Sequence, residues 1–422
     1  MKRKYTTYNI TDFYHFKYQL LNFGKRFSNF CFLDNHEYNF DKSYECIAGF
    51  GVIQSIISSE KNGLAELDRF KKEHEDWILG HVSYDLKNQI NNLSSHNRDD
   101  IGFSDFYFFI PEIICILSKD QVRVGVYESL YAKDIFEEIN SVISQENSFP
   151  KPILRSMFSK DAYLRTIKKI QQHILKGDCY EVCFCQEFFA ENIEINPVKV
   201  FKRLSTLSPN PFSAFYKLDE KYLMCASPER FLKKKKDSII SQPIKGTSKR
   251  NGDNEKEIKL LQENEKERAE NIMIVDLVRN DLSKICTEGS VTVKEFLKIY
   301  SFPQVHQLIS TITGNVRENV SFGEILSATF PMGSMTGAPK KRVMEIIEKF
   351  EKTRRGLFSG TIGYINPDGD FDFNVVIRSI LYNEKRRRLS IPVGSAITWK
   401  SVPESEYEEC NIKISAMIKA LE

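Results

Sequence analysis

The sequence predicts a mixed α and β fold, and three observations carry that reading. Short aromatic and β-branched runs alternate with charged segments through the first ~150 residues. Hairpin-type turn chemistry separates apolar runs, most clearly at Pro367-Asp368-Gly369. Stretches of helical spacing open on capping residues and stop at glycine, as between Ser159-Lys160-Asp161 and Gly177-Asp178. At 422 residues the chain is long enough for two or three domains or one large α/β body.

A polar stretch from Ser144 to Lys151, with Pro150 and Pro152, is the predicted linker and divides residues 1–152 from 153–422. Beyond it the spacing predicts a helix to Leu175 and a buried strand over Tyr180–Phe189. Strands over Tyr222–Leu232 and Ser238–Ile244 flank the turn that carries Lys233-Lys234-Lys235-Lys236. Glu263–Leu282 reads as a long helix, and Ala338–Phe350 as another with Pro339 in its first turn. Strands follow over Phe358–Ile365, Phe371–Tyr382 and Leu389–Thr398, and Glu404–Leu421 closes the chain as a helix. No internal repeat of fixed period is present.

Composition narrows the function classes. Hydrophobic residues at 41% and charged residues at 28% suit a globular protein with a sizeable core. The net charge of +3 is too balanced to imply nucleic acid or an anionic membrane as partner. The nine cysteines form no Cys-x-x-Cys pair and have no nearby histidine at zinc-finger spacing, so they read as reduced thiols of a cytoplasmic protein. No apolar stretch of signal-peptide length follows Lys2-Arg3-Lys4, and the greasiest run, Phe106–Leu117, is too short to span a bilayer.

Four groups of residues carry chemistry. Lys245 lies in Pro243-Ile244-Lys245-Gly246-Thr247 at the end of an apolar run. An unperturbed lysine has a pKa of about 10.4 and turns nucleophilic only where burial or a nearby cation disfavours the ammonium. Otherwise it is a strand-end lysine reaching solvent. Glu229, in Ser227-Pro228-Glu229-Arg230-Phe231, stands sixteen positions earlier. A turn centred near Asp237 places the pair opposite each other on one sheet face, as an ion pair or as an acid and a nucleophile sharing a pocket.

Glu267 and Glu270 stand three apart on one helix; Glu406 and Glu409 stand three apart on the last, with Lys413 four further on. An i, i+3 pair projects from one helix face. Two such faces brought together form an all-oxygen box that suits Mg2+, whereas apart they are solvated glutamates. Glu270 precedes the apolar run Ile272–Val275, so its helix reads as buried, and a buried carboxylate needs a partner. The loop Phe330–Lys340, which contains Ser334, ends at a helix N-terminus that favours an anion; it lacks the Walker A pattern and is otherwise an ordinary connection. Arg378 in an apolar strand needs an anion, either a substrate carboxylate or a structural salt-bridge partner. Gly394, in Pro392-Val393-Gly394-Ser395-Ala396, lets backbone amides approach a second carboxylate.

With these residues in place, the run from about Ser159 to Leu421 resembles the catalytic region of the chorismate-utilising enzymes. That group includes anthranilate synthase component I, aminodeoxychorismate synthase component I, isochorismate synthase and salicylate synthase. The resemblance rests on Gly177-Asp178-x-Tyr180, Ser227-Pro228-Glu229-Arg230-Phe231, Pro243-Ile244-Lys245-Gly246-Thr247 and Arg268-Ala269-Glu270-Asn271 running on to Asn280-Asp281. Gly333-Ser334-x-Thr336-Gly337-Ala338-Pro339-Lys340 and Glu406-Tyr407-Glu408-Glu409 complete it. It implies an α+β fold of the anthranilate-synthase type, with antiparallel sheets packed as a sandwich and helices outside. Residues 1–152 match weakly, through Gly80-x-x-x-Tyr84-Asp85-Leu86.

The resemblance also implies roles. The water-adding enzymes carry a lysine base where this chain has Glu181, and anthranilate synthases carry alanine at Lys245, so the aminodeoxychorismate branch is expected. There is no Leu-Glu-Ser tryptophan-inhibition motif near the start; the nearest stretch is Phe32-Leu33-Asp34-Asn35. Glu229 would be the general acid, and Lys245 the nucleophile that forms a covalent adduct. Glu270 and Glu409 would hold Mg2+, with Glu267 and Glu406 behind them. Gly246, Thr247, Ser334, Phe358, Arg378, Gly394 and Lys413 fall at substrate-contacting positions. Ammonia would come from solution or from a separate glutamine amidotransferase subunit. The alternatives are anthranilate synthase component I and a catalytically silent chorismate-binding subunit. The latter is motivated by Gln307, where the family often has histidine, and by Ala396, which replaces a glycine. Phe358 stands where anthranilate synthases have tyrosine.

Overall fold

Residue alternation along the strands explains the architecture. Phe30 and Phe32 point to one face of their strand and Cys31 to the other, and each face enters a different apolar core. Ala214 and Tyr216 likewise face one core while Phe215 faces the second. The chain is described by a computed structural model that covers residues 3–38, 43–58, 62–127, 131–143, 149–250, 254–301 and 305–422.

Two antiparallel sheets result. The first has 12 strands among the described residues. Its order runs from Lys4–Asn9 through Gln121–Val126, Ile113–Leu117, Cys46–Phe50, Asn29–Asp34, Phe212–Leu218 and Lys221–Ser227. It continues through Ser379–Asn383, Arg388–Ile397 and Glu181–Glu191 to Gly337–Ala338, with Arg155–Ser156 also pairing on Glu181–Glu191. The second has 10 strands: Ile244–Lys249, Val305–Asn315, Ser238–Gln242, Arg230–Lys235, Phe371–Asn374, Thr361–Ile365, Ile78–Val82, Phe106–Ile110 and Gln54–Ile57, with Thr292–Ser301 paired to Val305–Asn315. One core lies between the sheets; the other lies between the first sheet and helices that include Lys160–Leu175, Pro197–Leu207 and Pro403–Ala420. This is the expected α+β sandwich with helices outside.

Both sheets draw strands from each side of the 152/153 boundary, since Asn29–Asp34 pairs with Phe212–Leu218 and Ile78–Val82 with Thr361–Ile365. Residues 144–148 of the predicted linker lie outside the described residues. Among the described residues no helix is long and apolar enough to cross a membrane. All nine cysteines are unbridged and buried.

Three readings need correction. The run Tyr222–Leu232 is two strands, Lys221–Ser227 in the first sheet and Arg230–Lys235 in the second. Pro228 has no N–H to give to a ladder, so pairing stops there and the chain changes sheets. Phe371–Tyr382 is likewise broken, because Arg378 adopts a left-handed φ of 51° between Phe371–Asn374 and Ser379–Asn383. The helix expected from Ala338 starts at Lys340, with Pro339 at its N-cap.

Candidate active site

Glu229 sits at the sheet crossing, two residues after the last residue of one strand and directly before the next. Its backbone is fixed on both sides: the Ser227 hydroxyl accepts from the Glu229 N–H at 3.2 Å, and the Glu229 carbonyl accepts from Val375 N–H at 2.9 Å. The side chain is buried. Burial pushes its carboxyl up to about 7, although the Ser334 hydroxyl, the Lys245 ammonium and a hydrogen bond from the Ile244 N–H pull the other way. A carboxyl half protonated near neutral pH is a competent general acid.

The expected register of Glu229 against Lys245 does not hold. The hairpin turns through Lys236 and Asp237, and a bulge after Arg230 sets Arg230 opposite Gln242. Glu229 therefore meets Lys245 through the Ile244 backbone rather than as a ladder partner.

Lys245 is 9% exposed, which excludes the solvent-reaching alternative. Its Nζ donates to Glu181 Oε1 at 2.8 Å and lies 3.9 Å from Glu270 Oε2. Burial pulls the ammonium down, but the Glu181 and Glu270 carboxylates outweigh it and hold the group well above the ordinary lysine range. Without ligands this lysine is thus a charged ammonium, not the neutral amine that burial alone would give. The next residue, Gly246, has a φ of 86°, and a Cβ there would stand 3.2 Å from Glu267 Oε2. Glycine is required twice over, for the bulge between Ile244 and Thr247 and for the approach of the acidic helix. The Thr247 side chain lies outside the described residues; its backbone pairs with Gln307.

In the sequence Glu181 marks only the branch of the family, yet in the structure it is the hydrogen-bond partner of Lys245. It is 1% exposed at the start of a strand, and Oε2 has no partner. The glycine loop pins it in place. Gly337, with φ 135°, lies so close to the Glu181 carbonyl that a Cβ would meet it at 2.1 Å, and Gly337–Ala338 pairs with Glu181–Val182. The loop therefore serves as a positioning strand, and it also brings in Ser334, whose buried hydroxyl faces the Glu229 carboxyl. Glu229, Gly333 and Ser334 line a cavity with Val278, Leu282 and Met332; Lys245 does not line it.

The two acidic helices do come together. Asn264 caps the helix Glu265–Ser283 by accepting the Glu267 N–H at 3.1 Å, which sets Glu267 and Glu270 on the face towards the site. Burial raises Glu270 to about 8 and also raises Glu267, to which Glu409 adds its repulsion. On the C-terminal helix Glu406 is buried, and its Oε2 accepts from the Ser395 hydroxyl. Burial opposes ionisation of Glu409, but the Lys413 ammonium, 2.5 Å away, holds its carboxyl below the ordinary range. Among the described residues no three side chains already form a metal cage. Lysine ammoniums stand between the carboxylates instead, with Lys266 2.7 Å from Glu406. The all-oxygen donor set fits Mg2+ in kind, and Glu270 Oε1 is buried without a hydrogen bond.

Arg378 makes no ion pair with a carboxylate among the described residues; it donates to the Lys413 carbonyl at 3.2 Å. Lys413 donates to the Gly394 carbonyl at 2.9 Å. A Cβ at Gly394 would stand 2.8 Å from Cys185 Sγ and 3.1 Å from Cys183 Sγ, so space, not φ, demands glycine. Phe358 is buried in the inter-sheet core just before Thr361–Ile365. His306 turns away from Gln307 to Ser301 and Asn254, so it does not stand in for its neighbour.

A sandwich of antiparallel sheets with an acid, a lysine and two facing acidic helices defines a class, and comparison with known proteins supplies it. The family model for chorismate binding enzymes matches residues 30–419, and the chain belongs to that family. It is 34% identical over 367 residues to aminodeoxychorismate synthase component 1 of Bacillus subtilis, covering 82% of this chain and 76% of that protein. It is 32% identical over 371 residues to anthranilate synthase component 1 of Aquifex aeolicus, covering 82% and 74%. The fold is that of anthranilate synthase component I from Streptococcus pneumoniae, with a TM-score of 0.80 at 24% identity over 90% of this chain and 93% of that one.

Proposed function

We propose that this chain is the component 1 subunit of an aminodeoxychorismate synthase, aminating chorismate to 4-amino-4-deoxychorismate on the route to para-aminobenzoate and folate. The observation that carries the reading is Lys245, buried, hydrogen-bonded to Glu181 at 2.8 Å and adjacent to Ile244, whose N–H bonds the protonatable Glu229.

Glu229 gives its proton to the departing ring-4 hydroxyl, which leaves as water. Lys245 Nζ, having passed a proton to its acceptor Glu181, bonds to ring carbon 2 as both ring double bonds shift towards carbon 4. Ammonia then adds at carbon 4 while the bond from carbon 2 to Nζ breaks, so the electron pair returns to Lys245. Arg378 and Lys413 supply positive charge to the substrate, and Gly246, Thr247, Ser334, Phe358 and Gly394 complete its contacts. Glu270 and Glu409, backed by Glu267 and Glu406, would hold Mg2+, which supplies a Lewis-acidic anchor for the ring carboxylate. A separate glutamine amidotransferase subunit in the cytoplasm would deliver the ammonia.

Incubation with chorismate, ammonium chloride and MgCl2, followed by mass spectrometry, tests the reading. A non-aromatic amino product is expected; anthranilate with released pyruvate would overturn it in favour of anthranilate synthase. No turnover of any kind would leave a silent binding subunit.

A further inference from the structure

Lys266 takes no part in the reaction above, yet it occupies the centre of the acidic cluster. Its Nζ lies 2.7 Å from Glu406 Oε1 and 3.7 Å from Glu270 Oε1, bridging the two acidic helices. Those carboxylates are only 2% and 5% exposed. Glu270 Oε1 has no hydrogen bond, and Glu406 Oε2 is already taken by the Ser395 hydroxyl. An ammonium and a divalent cation would need the same lone pairs at this place, and both cannot have them. The side chain of Lys266 is 30% exposed, against 9% for Lys245. Its stem can therefore swing into water, while Lys245 is enclosed.

We infer that Lys266 is a resident cation of the carboxylate box, and that a divalent metal binds by displacing it. The inference rests on the proposed metal reading of Glu270, Glu409, Glu267 and Glu406. Lys266 neutralises the box while it is empty, so two buried carboxylates are not left facing each other. The same contact weakens metal binding, because the bond to Glu406 must be given up first.

Calorimetric titration of the metal-free full chain with MgCl2 separates the two ideas. Lys266→Met and Lys266→Gln should each tighten Mg2+ binding about tenfold, the factor set by one lost charge-assisted hydrogen bond. Removing a neighbouring charge outside the box tests for a general field effect. Lys400 is exposed and pairs with Glu265 at 3.9 Å, so Lys400→Met should change the affinity by less than about twofold. Equal affinities for the wild type and both Lys266 variants would overturn the inference and leave the metal box standing. So would a magnesium-bound structure in which Lys266 still donates to Glu406. Lack of binding by every variant, the wild type included, would overturn the metal reading itself and the inference with it.

Discussion

Replacing Glu229 with glutamine should stabilise the protein while removing its activity. Glu229 is buried, and its carboxyl is raised from 4.5 to about 7. The folded protein therefore holds this proton to higher pH than the unfolded chain does. The contribution of Glu229 to stability is full below pH 4.5 and is lost as pH rises through about 7. Above that, ionised Glu229 costs roughly 3 kcal/mol, from about 1.36 kcal/mol per pKa unit. Glutamine is nearly isosteric, keeps an oxygen for the Ile244 N–H and cannot ionise. With an unfolding entropy of roughly 2.1 cal/mol/K per residue, that difference raises Tm by about 3–4 °C for a chain of this length. Thermal melts of both proteins from pH 4.5 to 8.5 should show curves that meet at the acid end and separate towards the alkaline end. Wild-type turnover should fall about tenfold per pH unit above pH 7, and Glu229→Gln should be nearly inactive throughout. Melting curves that stay parallel across the whole range would refute a buried, proton-holding carboxyl here.

Lys245→Ala should lower aminated product by about a thousandfold or more while far-UV circular dichroism is unchanged; unaltered turnover would exclude the covalent route. Excess EDTA should abolish turnover and added MgCl2 restore it, whereas full activity in the chelator would exclude the carboxylate box as a metal site. Gly337→Ala should destabilise by more than about 1–3 kcal/mol in urea unfolding, because its Cβ would stand 2.1 Å from the Glu181 carbonyl at a φ of 135°. An unchanged midpoint would mean that the loop does not hold Glu181.

Short-range rules made much of this site legible. Ser159 does cap the helix Lys160–Leu175, and the i, i+3 glutamate pairs do share faces, because capping and helical spacing are set within a few residues. What a strand pairs with is not local. The passage of Tyr222–Leu232 from one sheet to the other depends on partners from distant parts of the chain, and Pro228 was its one local sign. The turn through Lys236 and Asp237 already sets the expected register of Glu229 and Lys245 off by one residue, and the bulge after Arg230 shifts it further. Lys266 could have been found from sequence, since it precedes Glu270 by four on the same helix. Glu181 carries a weaker sign, a carboxylate opening the apolar run Val182–Cys185. Its partner is 64 positions away and no spacing rule reaches it.

Some of the buried polar atoms left without a hydrogen bond lie around this site, while others, such as Asn22 Oδ1, Tyr84 Oη and Ser205 Oγ, lie elsewhere in the fold. Glu181 Oε2, Glu270 Oε1 and Gln307 Oε1 are buried without a hydrogen-bond partner, and all belong to the elements that surround Lys245. Each such group costs about 1–3 kcal/mol, and the left-handed backbone of Arg378 adds a cost of similar size. A fold that served stability alone would have filled these positions with apolar residues, as it does throughout the core between the sheets. Here it keeps amide and carboxylate groups buried on the elements packed around Lys245. Opposing charges hold that region together: the carboxylates of Glu181, Glu270, Glu406 and Glu409 against the ammoniums of Lys245, Lys266 and Lys413. An anionic ligand entering alone would add to the carboxylate repulsion, and a cation alone would crowd the lysines. Under the proposed reading, a substrate with two carboxylates and a divalent cation would bring opposite charges that cancel, so their joint entry would disturb this balance least.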